Sequence, residues 1–311
     1  LMADWANLLT EQQNPSSERI DEVSTLEMLS IINHEDAGIA VAVGRALPAV
    51  AVAVDMVVQA LGGGGRLFYI GAGTSGRLGI LDASECPPTF RADPEMVQGL
   101  IAGGTSAVFQ AVEGAEDDPD GAVDDLATRG LSAVDVVIGI AASGVTPYVV
   151  GGLSCARRTG CGTALLTCSP SAAKAVGADV KIVAEVGPEV ITGSTRMKAG
   201  TATKMILNMI TTGAMVRLGK TYGNLMIDLQ PTNAKLKDRS RRILSALTSL
   251  SAEGASALLD TADGELKLAL VMEKSHLDAR ESLRLLSQYD GRVKAALQAV
   301  GGDSTSPSQE K

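Results

Sequence analysis

The feature that most constrains the fold of this 311-residue chain is a series of five short apolar runs separated by helical segments. The runs are mainly aliphatic and occupy positions 67–70, 96–101, 134–141, 163–167 and 180–186. Strands with continuous apolar composition are buried on both faces, and strands that alternate with helices form parallel sheets. The sequence therefore predicts an α/β fold, in which a doubly wound, parallel, five-stranded sheet forms an α/β/α sandwich.

Residues on both sides of the predicted sheet have the apolar periodicity of helices. Residues 24–32 and an apolar stretch at 37–61 precede four consecutive glycines. Beyond Tyr222 the helical segments are 236–250, 253–259, 265–272, 277–286 and 291–300. We predict an N-terminal helical segment at 1–56, a sheet domain at 57–220, a helical domain at 221–301 and a disordered tail at 302–311. The first fifteen residues are polar and are expected to be frayed.

The apolar stretch 37–61 is long enough to raise the question of a membrane span. Arg45 and Asp55 interrupt it, and Pro48 lies inside it. A transmembrane helix needs about 20 consecutive apolar residues with few or no charges. We therefore expect a buried helix pair or a kinked core helix, and no membrane partner.

Charge and histidine content exclude several classes of function. The 27 Lys and Arg residues against 36 Asp and Glu residues give a net charge of −9, which argues against nucleic-acid binding. The two histidines, His34 and His276, are too few for a histidine-rich metal site, and neither lies near a nucleophile motif. The four cysteines form no CxxC pair, which favours reduced thiols in a cytoplasmic protein.

A glycine-rich loop follows the first apolar run, at the strand end where parallel sheets bind ligands. Its sequence, Gly71-Ala72-Gly73-Thr74-Ser75-Gly76-Arg77, matches the GxGxxG pattern of dinucleotide-binding proteins. That fingerprint also needs an acid at the end of the second strand, but residues 99–104 contain none, and Arg77-Leu78 excludes a Walker A loop. The hydroxyls at a helix N-terminus instead predict a cradle for a monophosphate, formed by Gly73, Thr74, Ser75 and Gly76.

Two further loops bring hydroxyl groups to predicted helix starts. Ser143-Gly144-Val145-Thr146-Pro147 follows the third run, and Gly193-Ser194-Thr195-Arg196 opens a long helix predicted at 194–218. Such residues are also ordinary helix-capping chemistry, so Ser143 alone would not indicate a ligand. Together, the three loops favour a sugar-phosphate site that includes Ser143, Gly144, Thr146, Ser194, Thr195 and Arg196. The cations available to offset the acidic net charge there are Arg77, Arg196 and Lys198.

Two acidic clusters follow the glycine-rich loop. Glu85 lies in Asp82-Ala83-Ser84-Glu85-Cys86-Pro87-Pro88-Thr89-Phe90, where the proline pair is expected to stop the helix and fix the orientation of Glu85. Glu116 lies in Glu113-Gly114-Ala115-Glu116-Asp117-Asp118, after the second run. A carboxyl group near a bound phosphosugar is a candidate general acid or base. Spacing alone leaves capping and solvated roles open for both clusters.

Four blocks of sequence together resemble the N-acetylmuramic acid 6-phosphate etherase family. They are residues 71–90, 141–148, 189–201 and 222–228, and the resemblance extends from about residue 20 to residue 300. It implies a sugar-isomerase (SIS) domain, which is a doubly wound sheet that binds phosphosugars, followed by a small C-terminal helical domain. It also implies a cytoplasmic homodimer that acts on a small phosphosugar without a metal or other cofactor. The Met-rich long helix and the N-terminal helices are the candidate dimer interfaces.

The activity that this resemblance implies is a carbon–oxygen lyase reaction in cell-wall amino-sugar recycling. Members of the family cleave the lactyl ether of N-acetylmuramate 6-phosphate with water, giving N-acetylglucosamine 6-phosphate and D-lactate. The family's acid/base glutamate corresponds to Glu85, and its second active-site glutamate corresponds to Glu116. One departure is Val145, which stands where the family usually has arginine. Substrate affinity would change if that arginine holds the anionic substrate.

Three other functions are compatible with parts of the pattern. An aldose–ketose phosphosugar isomerase would share the sheet and the phosphate loops, and the etherase-type blocks around Glu85 and Glu116 argue against it. A non-catalytic phosphosugar sensor, as in the regulators of glucokinase, is usually a longer chain with two such domains. A dinucleotide enzyme is disfavoured by the missing ribose-binding acid.

Overall fold

The computed structural model describes residues 8–229 and 234–301, and the chain divides into two compact units. The first unit comprises Leu1–Ser84 and Pro94–Gly213, and the second comprises Glu85–Asp93 and Ala214–Lys311. The predicted tail at 302–311 lies outside the described residues. The division into four regions therefore stays a prediction.

The first unit is built on a five-stranded parallel sheet, which confirms the predicted fold class. In chain order the strands are β1 (Leu67–Gly71), β2 (Val97–Ile101), β3 (Val136–Ile140), β4 (Gly162–Thr167) and β5 (Val180–Val183). Their spatial order is β2-β1-β3-β4-β5, with Leu67 paired to both Val97 and Val136. β1 and β3 are buried along their whole length, as their continuous apolar composition predicts.

Helices alternate with these strands. The order of the strands creates a crevice at one end of the sheet. They are α1 (Thr25–Asp36), α2 (Ile39–Gly62), α3 (Gly73–Phe90), α4 (Ser106–Phe109), α5 (Gly121–Thr128), α6 (Pro147–Thr159), α7 (Pro170–Ala175) and α8 (Lys198–Arg217). The chain goes from β1 to β2 on one side and then to β3 on the other side of β1. The carboxyl ends of β1 and β3 therefore form the topological switch point at which open α/β sheets bind ligands.

Residues 8–17 pack against other parts of the first unit, so the expectation of a frayed N-terminus is wrong from residue 8 onward. Asn14 and Ser17 are buried, and the Ser17 hydroxyl donates to the Val190 carbonyl at 2.7 Å. The Asn14 side chain donates to the Pro188 carbonyl at 3.1 Å and to Glu35 at 2.7 Å. These partners are distant in the chain, and local composition therefore gave no sign of them.

α2 is one continuous helix of 24 residues with Pro48 inside it. Its buried residues, among them Ala46, Val50 and Val57, recur at helical spacing, and the helix contacts β1, β3 and β5. By length and composition alone, Thr25–Gly62 could cross a membrane: it contains an 18-residue window with a mean hydropathy of 1.9, of which 33% is buried. The core helix of a soluble protein passes the same test. One face of α2 packs on β1, β3 and β5, while Val41 and Val52 on the same helix are exposed.

α3 continues through Pro87 and Pro88 to Phe90, so the expectation that this pair stops the helix is wrong. Proline has no N–H group, and each of the two therefore leaves a carbonyl one turn earlier without its usual helical donor. Helical hydrogen bonding resumes after the two prolines: the Arg91 N–H donates to the Pro87 carbonyl at 2.9 Å. Phe90, at the end of the helix, is buried. Arg91, with φ of 51°, then ends the helix.

The second unit contains a helical core, as predicted beyond Tyr222. Its helices are α9 (Ala234–Leu247), α10 (Ala252–Thr261), α11 (Leu266–Ser275), α12 (Ala279–Gln288) and α13 (Val293–Ala299). Their buried faces meet around leucines that include Leu244, Leu266 and Leu285. A short antiparallel pair, β6 (Thr221–Tyr222) and β7 (Leu225–Met226), was not predicted, because two-residue strands leave no periodicity in a sequence.

Candidate functional site

A cleft of about 260 Å³ opens at the carboxyl ends of β1 and β3. All of its lining residues belong to the first unit: Glu11, Ala72, Gly73, Thr74, Ser75, Glu116, Asp117, Ile140, Ala141, Ala142, Ser143, Thr146, Gly193 and Thr195. The three hydroxyl-bearing loops singled out in the sequence therefore meet around one cavity, at the place where this topology binds ligands.

The junction between β1 and α3 is packed too closely for side chains at Gly71 and Gly76. A Cβ on Gly76 would lie 2.5 Å from Ile101 Cγ1 and 2.7 Å from the Gly71 carbonyl oxygen. This close packing lets α3 begin at Gly73, directly after β1, so that Thr74 and Ser75 line the cleft from its first turn. Backbone N–H groups and the positive end of the helix dipole attract anions at such a helix start, so the loop is suited to a phosphate monoester.

The loop between β3 and α6 supplies two more hydroxyl groups. Gly144 has φ of 77°, and a Cβ there would lie 2.5 Å from Ala172 Cβ, so a side chain would force the loop to move. The Ser143 hydroxyl accepts a hydrogen bond from the Val145 N–H at 3.4 Å, within the loop itself. Thr146 precedes α6 without a side-chain hydrogen bond to the helix in this described segment. Helix capping therefore does not account for either hydroxyl.

The loop before α8 contributes less than the sequence suggested. Glu189 is buried, and its two carboxylate oxygens accept the N–H groups of Lys198 and Ala199, both at 2.9 Å. These bonds occupy the start of α8, although burial still raises the pKa of Glu189 above its usual value. Thr195 lines the cleft, whereas Ser194 and Arg196 fall outside the set of described residues that line it.

Arg77 and Lys198, which the sequence offered as cations for this site, form hydrogen bonds elsewhere in the first unit. Arg77 donates to the carbonyls of Val108 and Ala107, both at 2.8 Å, and thereby supports α4. Lys198 is buried and donates to Glu35 at 2.6 Å. Burial opposes the charge on Glu35, but the hydrogen bonds from Lys198 and Asn14 outweigh it and lower the pKa of Glu35. Among the described residues that line the cleft, none is Lys or Arg.

Three carboxylates line the cleft where cations were considered, and of these only Glu116 was a predicted site residue. Glu116 and Asp117 come from the single helical turn Ala115–Asp117, after Gly114 with φ of 74°. The third is Glu11, on the N-terminal segment that the sequence analysis had treated as frayed. No local sequence pattern indicated that Glu11 belongs to the site, because the contacts that fix this segment are made with residues far along the chain.

Glu85 is an exposed residue in the last part of α3. It belongs to the stretch Glu85–Asp93 that is counted with the second unit. Val145 is half-buried and is not among the described residues that line the cleft. Of the twelve site residues predicted from the sequence, the cleft of the first unit thus gathers seven: Gly73, Thr74, Ser75, Glu116, Ser143, Thr146 and Thr195. The other five, Glu85, Gly76, Gly144, Ser194 and Arg196, are not among its described lining residues.

Comparison with known proteins identifies relatives over almost the whole chain. An N-acetylmuramic acid 6-phosphate etherase from Gloeobacter violaceus is 52% identical over 301 residues, covering 97% of this chain and 98% of that protein. N-acetylmuramic acid 6-phosphate etherase 2 from Vibrio parahaemolyticus is 52% identical over 294 residues, covering 94% and 98%. Identity of this level over both full lengths leaves no large part of either protein unmatched.

Two further comparisons match only part of the chain. Residues 49–157 match the model of the glucokinase regulatory protein N-terminal SIS domain. A solved phosphoheptose isomerase from Francisella tularensis has a TM-score of 0.49 and 16% identity, covering 62% of this chain and 100% of that one. The matched SIS domain agrees with the observed sheet, and the full-length relatives determine the family: the chain belongs to the N-acetylmuramic acid 6-phosphate etherases.

Proposed function

We propose that the protein cleaves the lactyl ether of N-acetylmuramate 6-phosphate, giving N-acetylglucosamine 6-phosphate and D-lactate. The observation that carries this proposal is 52% identity, over 97% of this chain, to a protein named for that activity. The enzyme is accordingly a carbon–oxygen lyase of amino-sugar metabolism. The cleft at the end of β1 and β3, with its hydroxyl groups and helix start, supports a phosphosugar as the substrate.

The phosphate of the substrate is proposed to bind at the glycine-rich loop. Backbone N–H groups in the first turn of α3 and the hydroxyls of Thr74 and Ser75 would contact its oxygens, with Gly73 in the cleft lining allowing close approach. Gly76 would act indirectly, by letting this turn pack closely on β1 and β2. Ser143 and Thr146, beside Gly144, and Thr195 extend the same hydroxyl lining. Because the described lining residues include no Lys or Arg, the phosphate charge would be balanced mainly by the helix dipole and by these donors.

The chemical step needs a base and an acid. Opening of the sugar ring makes C1 an aldehyde, which acidifies the proton on C2. One carboxylate removes that proton, and a protonated carboxyl assists departure of lactate from C3, after which water adds to the unsaturated intermediate. By family resemblance these groups are Glu85 and Glu116. The position of Glu116 in the cleft lining supports its part in this assignment. Written this way, the reaction balances with two carboxyl groups and water.

Dimerisation and location in the cytoplasm are further parts of the proposal. α1 and α2 expose an apolar face on which Leu29, Val41 and Val52 are 56%, 62% and 55% exposed. Large apolar residues exposed on neighbouring helices are typical of a surface that binds another protein. The apolar stripe of α8 is less suited to this role, because Ile206 and Ile210 are already buried within the chain.

A lactate assay tests the proposed activity directly. Purified protein is incubated with N-acetylmuramate 6-phosphate without added metal or NAD. The reaction is then stopped, the protein is removed, and D-lactate is measured in a separate assay with D-lactate dehydrogenase and NAD. We expect stoichiometric release of D-lactate and N-acetylglucosamine 6-phosphate. Conversion of aldose to ketose phosphosugars without lactate would favour the isomerase alternative, and phosphosugar binding without any turnover would favour the sensor.

A further inference from the structure

The N-terminal segment carries a carboxylate into the cleft, and the mechanism above does not use it. We propose that Glu11 is a substrate-contacting residue, whose carboxylate accepts a hydrogen bond from a hydroxyl or an amide N–H of the amino sugar. The proposal rests on the proposed phosphosugar activity and names a further residue of that same site. It starts from the presence of Glu11 among the residues that line the cleft.

The carboxylate of Glu11 is held in a defined place. Its Oε1 accepts a hydrogen bond from the hydroxyl of the buried Thr10 at 3.3 Å. Its Oε2 lies over Gly193, because a Cβ built on that glycine would be 3.4 Å away. The Gly193 N–H in turn donates to the Thr10 carbonyl at 3.2 Å. The side chain is therefore fixed against the loop that supplies Thr195 to the cleft.

The segment that bears Glu11 is fastened on its other side as well. Asn14 donates to the Pro188 carbonyl at 3.1 Å and to Glu35 at 2.7 Å, and Ser17 donates to the Val190 carbonyl at 2.7 Å. Glu11 thus lies between two sets of tertiary hydrogen bonds. An exposed acid on a segment anchored in this way is preorganised for a ligand, which lowers the entropy lost on binding.

The chemistry of the cleft determines what Glu11 can bind. An ionised carboxylate only accepts hydrogen bonds, and no lysine or arginine lines the described part of the cleft to pair with it. Phosphate would be repelled there, so the phosphate belongs at the glycine-rich loop and the donors of the sugar belong at Glu11. Hydroxyl and amide N–H groups bound by a carboxylate form hydrogen bonds stronger than neutral ones.

The experiment compares Glu11→Ala and Glu11→Gln with the wild type. Glu18→Gln is the matched control, because Glu18 is an exposed acid of the same segment that does not line the cleft in the described structure. Steady-state kinetics with N-acetylmuramate 6-phosphate give KM and kcat, and calorimetry gives the affinities for N-acetylglucosamine 6-phosphate and for inorganic phosphate. Melting temperatures are recorded for every variant.

We expect Glu11→Ala to raise KM and the Kd for N-acetylglucosamine 6-phosphate about tenfold or more, and Glu11→Gln to have a smaller effect in the same direction. Affinity for inorganic phosphate should stay unchanged or increase, and the melting temperature should stay within about 2 °C. Equal weakening of sugar phosphate and inorganic phosphate would indicate damage to the cradle and would overturn the proposal, as would wild-type affinities in both variants. Absence of lactate release by the wild type would count against the proposed activity, while the two binding measurements would still decide the role of Glu11.

Discussion

At the scale of single residues, the cleft lining combines two kinds of chemistry. It contains hydroxyl groups and the start of α3, and it also contains the carboxylates of Glu11, Glu116 and Asp117. An anionic group is attracted to a helix start and repelled by carboxylates. The proposed substrate would therefore bind with its phosphate at the start of α3 and away from the carboxylates.

The proposed acid/base pair can be tested with amide substitutions. Glu85→Gln and Glu116→Gln remove the titrating group with little change of shape, so each should lower kcat by about 10²-fold to 10⁴-fold. Binding of N-acetylglucosamine 6-phosphate should be largely retained. Glu113→Gln is the control, since Glu113 belongs to the same acidic cluster but is not among the described lining residues. Near-normal turnover in either variant would remove that glutamate from the mechanism.

At the scale of elements, the junction between β1 and α3 depends on backbone contacts. Gly76→Ala would place a methyl group 2.5 Å from Ile101 Cγ1 and 2.7 Å from the Gly71 carbonyl oxygen. We expect a loss of about 1–3 kcal/mol in the free energy of unfolding and weaker phosphosugar binding, because the loop must shift. Denaturant unfolding and calorimetry measure the two effects. Gly254→Ala, whose Cβ would meet nothing closer than 3.5 Å, should leave both unchanged or raise stability.

Before the amino ends of β1 and β3, the half-buried Arg66 forms an ion pair with the buried Asp135. Asp135 accepts hydrogen bonds from the Arg66 backbone and guanidinium and from Ser132. Burial opposes its ionisation, but these bonds prevail and lower its pKa below the usual value of 3.8. A lowered native pKa stabilises the folded state above the unfolded pKa, and this stabilisation is lost as the pH falls through the native pKa.

Asp135→Asn should therefore destabilise the protein most at neutral pH. We expect a loss of about 2 kcal/mol in the free energy of unfolding at pH 7. The difference from the wild type should shrink as the pH falls below about 4, where the wild-type carboxyl also begins to lose its charge in the unfolded chain. Urea unfolding at a series of pH values measures this. Asp238→Asn, which removes the carboxylate of an exposed ion pair with Arg241, is the control. If the loss of unfolding free energy in Asp135→Asn stays constant with pH, the ionic explanation is refuted.

The elements that could be predicted from the sequence are those with local signals. Continuous apolar runs indicated β1 to β5, and glycines beside hydroxyls indicated the loops around the cleft. The failures have non-local causes. α3 continues through Pro87 and Pro88, and the residue at its end, Phe90, is buried. The N–H groups at the start of α8 are bound by the carboxylate of Glu189, which lies nine residues before Lys198. The position of Glu11 likewise depends on contacts with residues near 190.

At the scale of the whole molecule, the net charge of −9 meets an anionic substrate. A protein of this charge repels such a substrate at a distance, so binding has to come from short-range contacts at helix starts and hydroxyls. Glycine serves this arrangement at Gly76, where the missing side chain lets the first turn of α3 pack closely on β1 and β2. The absence of basic residues from the described cleft lining makes this dependence stronger.

The exposed face of α1 and α2 gives the last prediction, which concerns assembly. Val41 and Val52 are 62% and 55% exposed and lie eleven residues apart, close to three helical turns, so they share one face of α2. Replacing both by glutamate places four charges across a two-fold interface formed by this face. We expect the wild type to have the mass of a dimer by light scattering, and Val41→Glu/Val52→Glu to have the mass of a monomer with its far-UV circular dichroism retained. Leu283→Glu, which alters an equally exposed apolar residue on α12, should remain dimeric. A dimeric double variant would move the interface to another surface, and a monomeric wild type would refute the dimer itself.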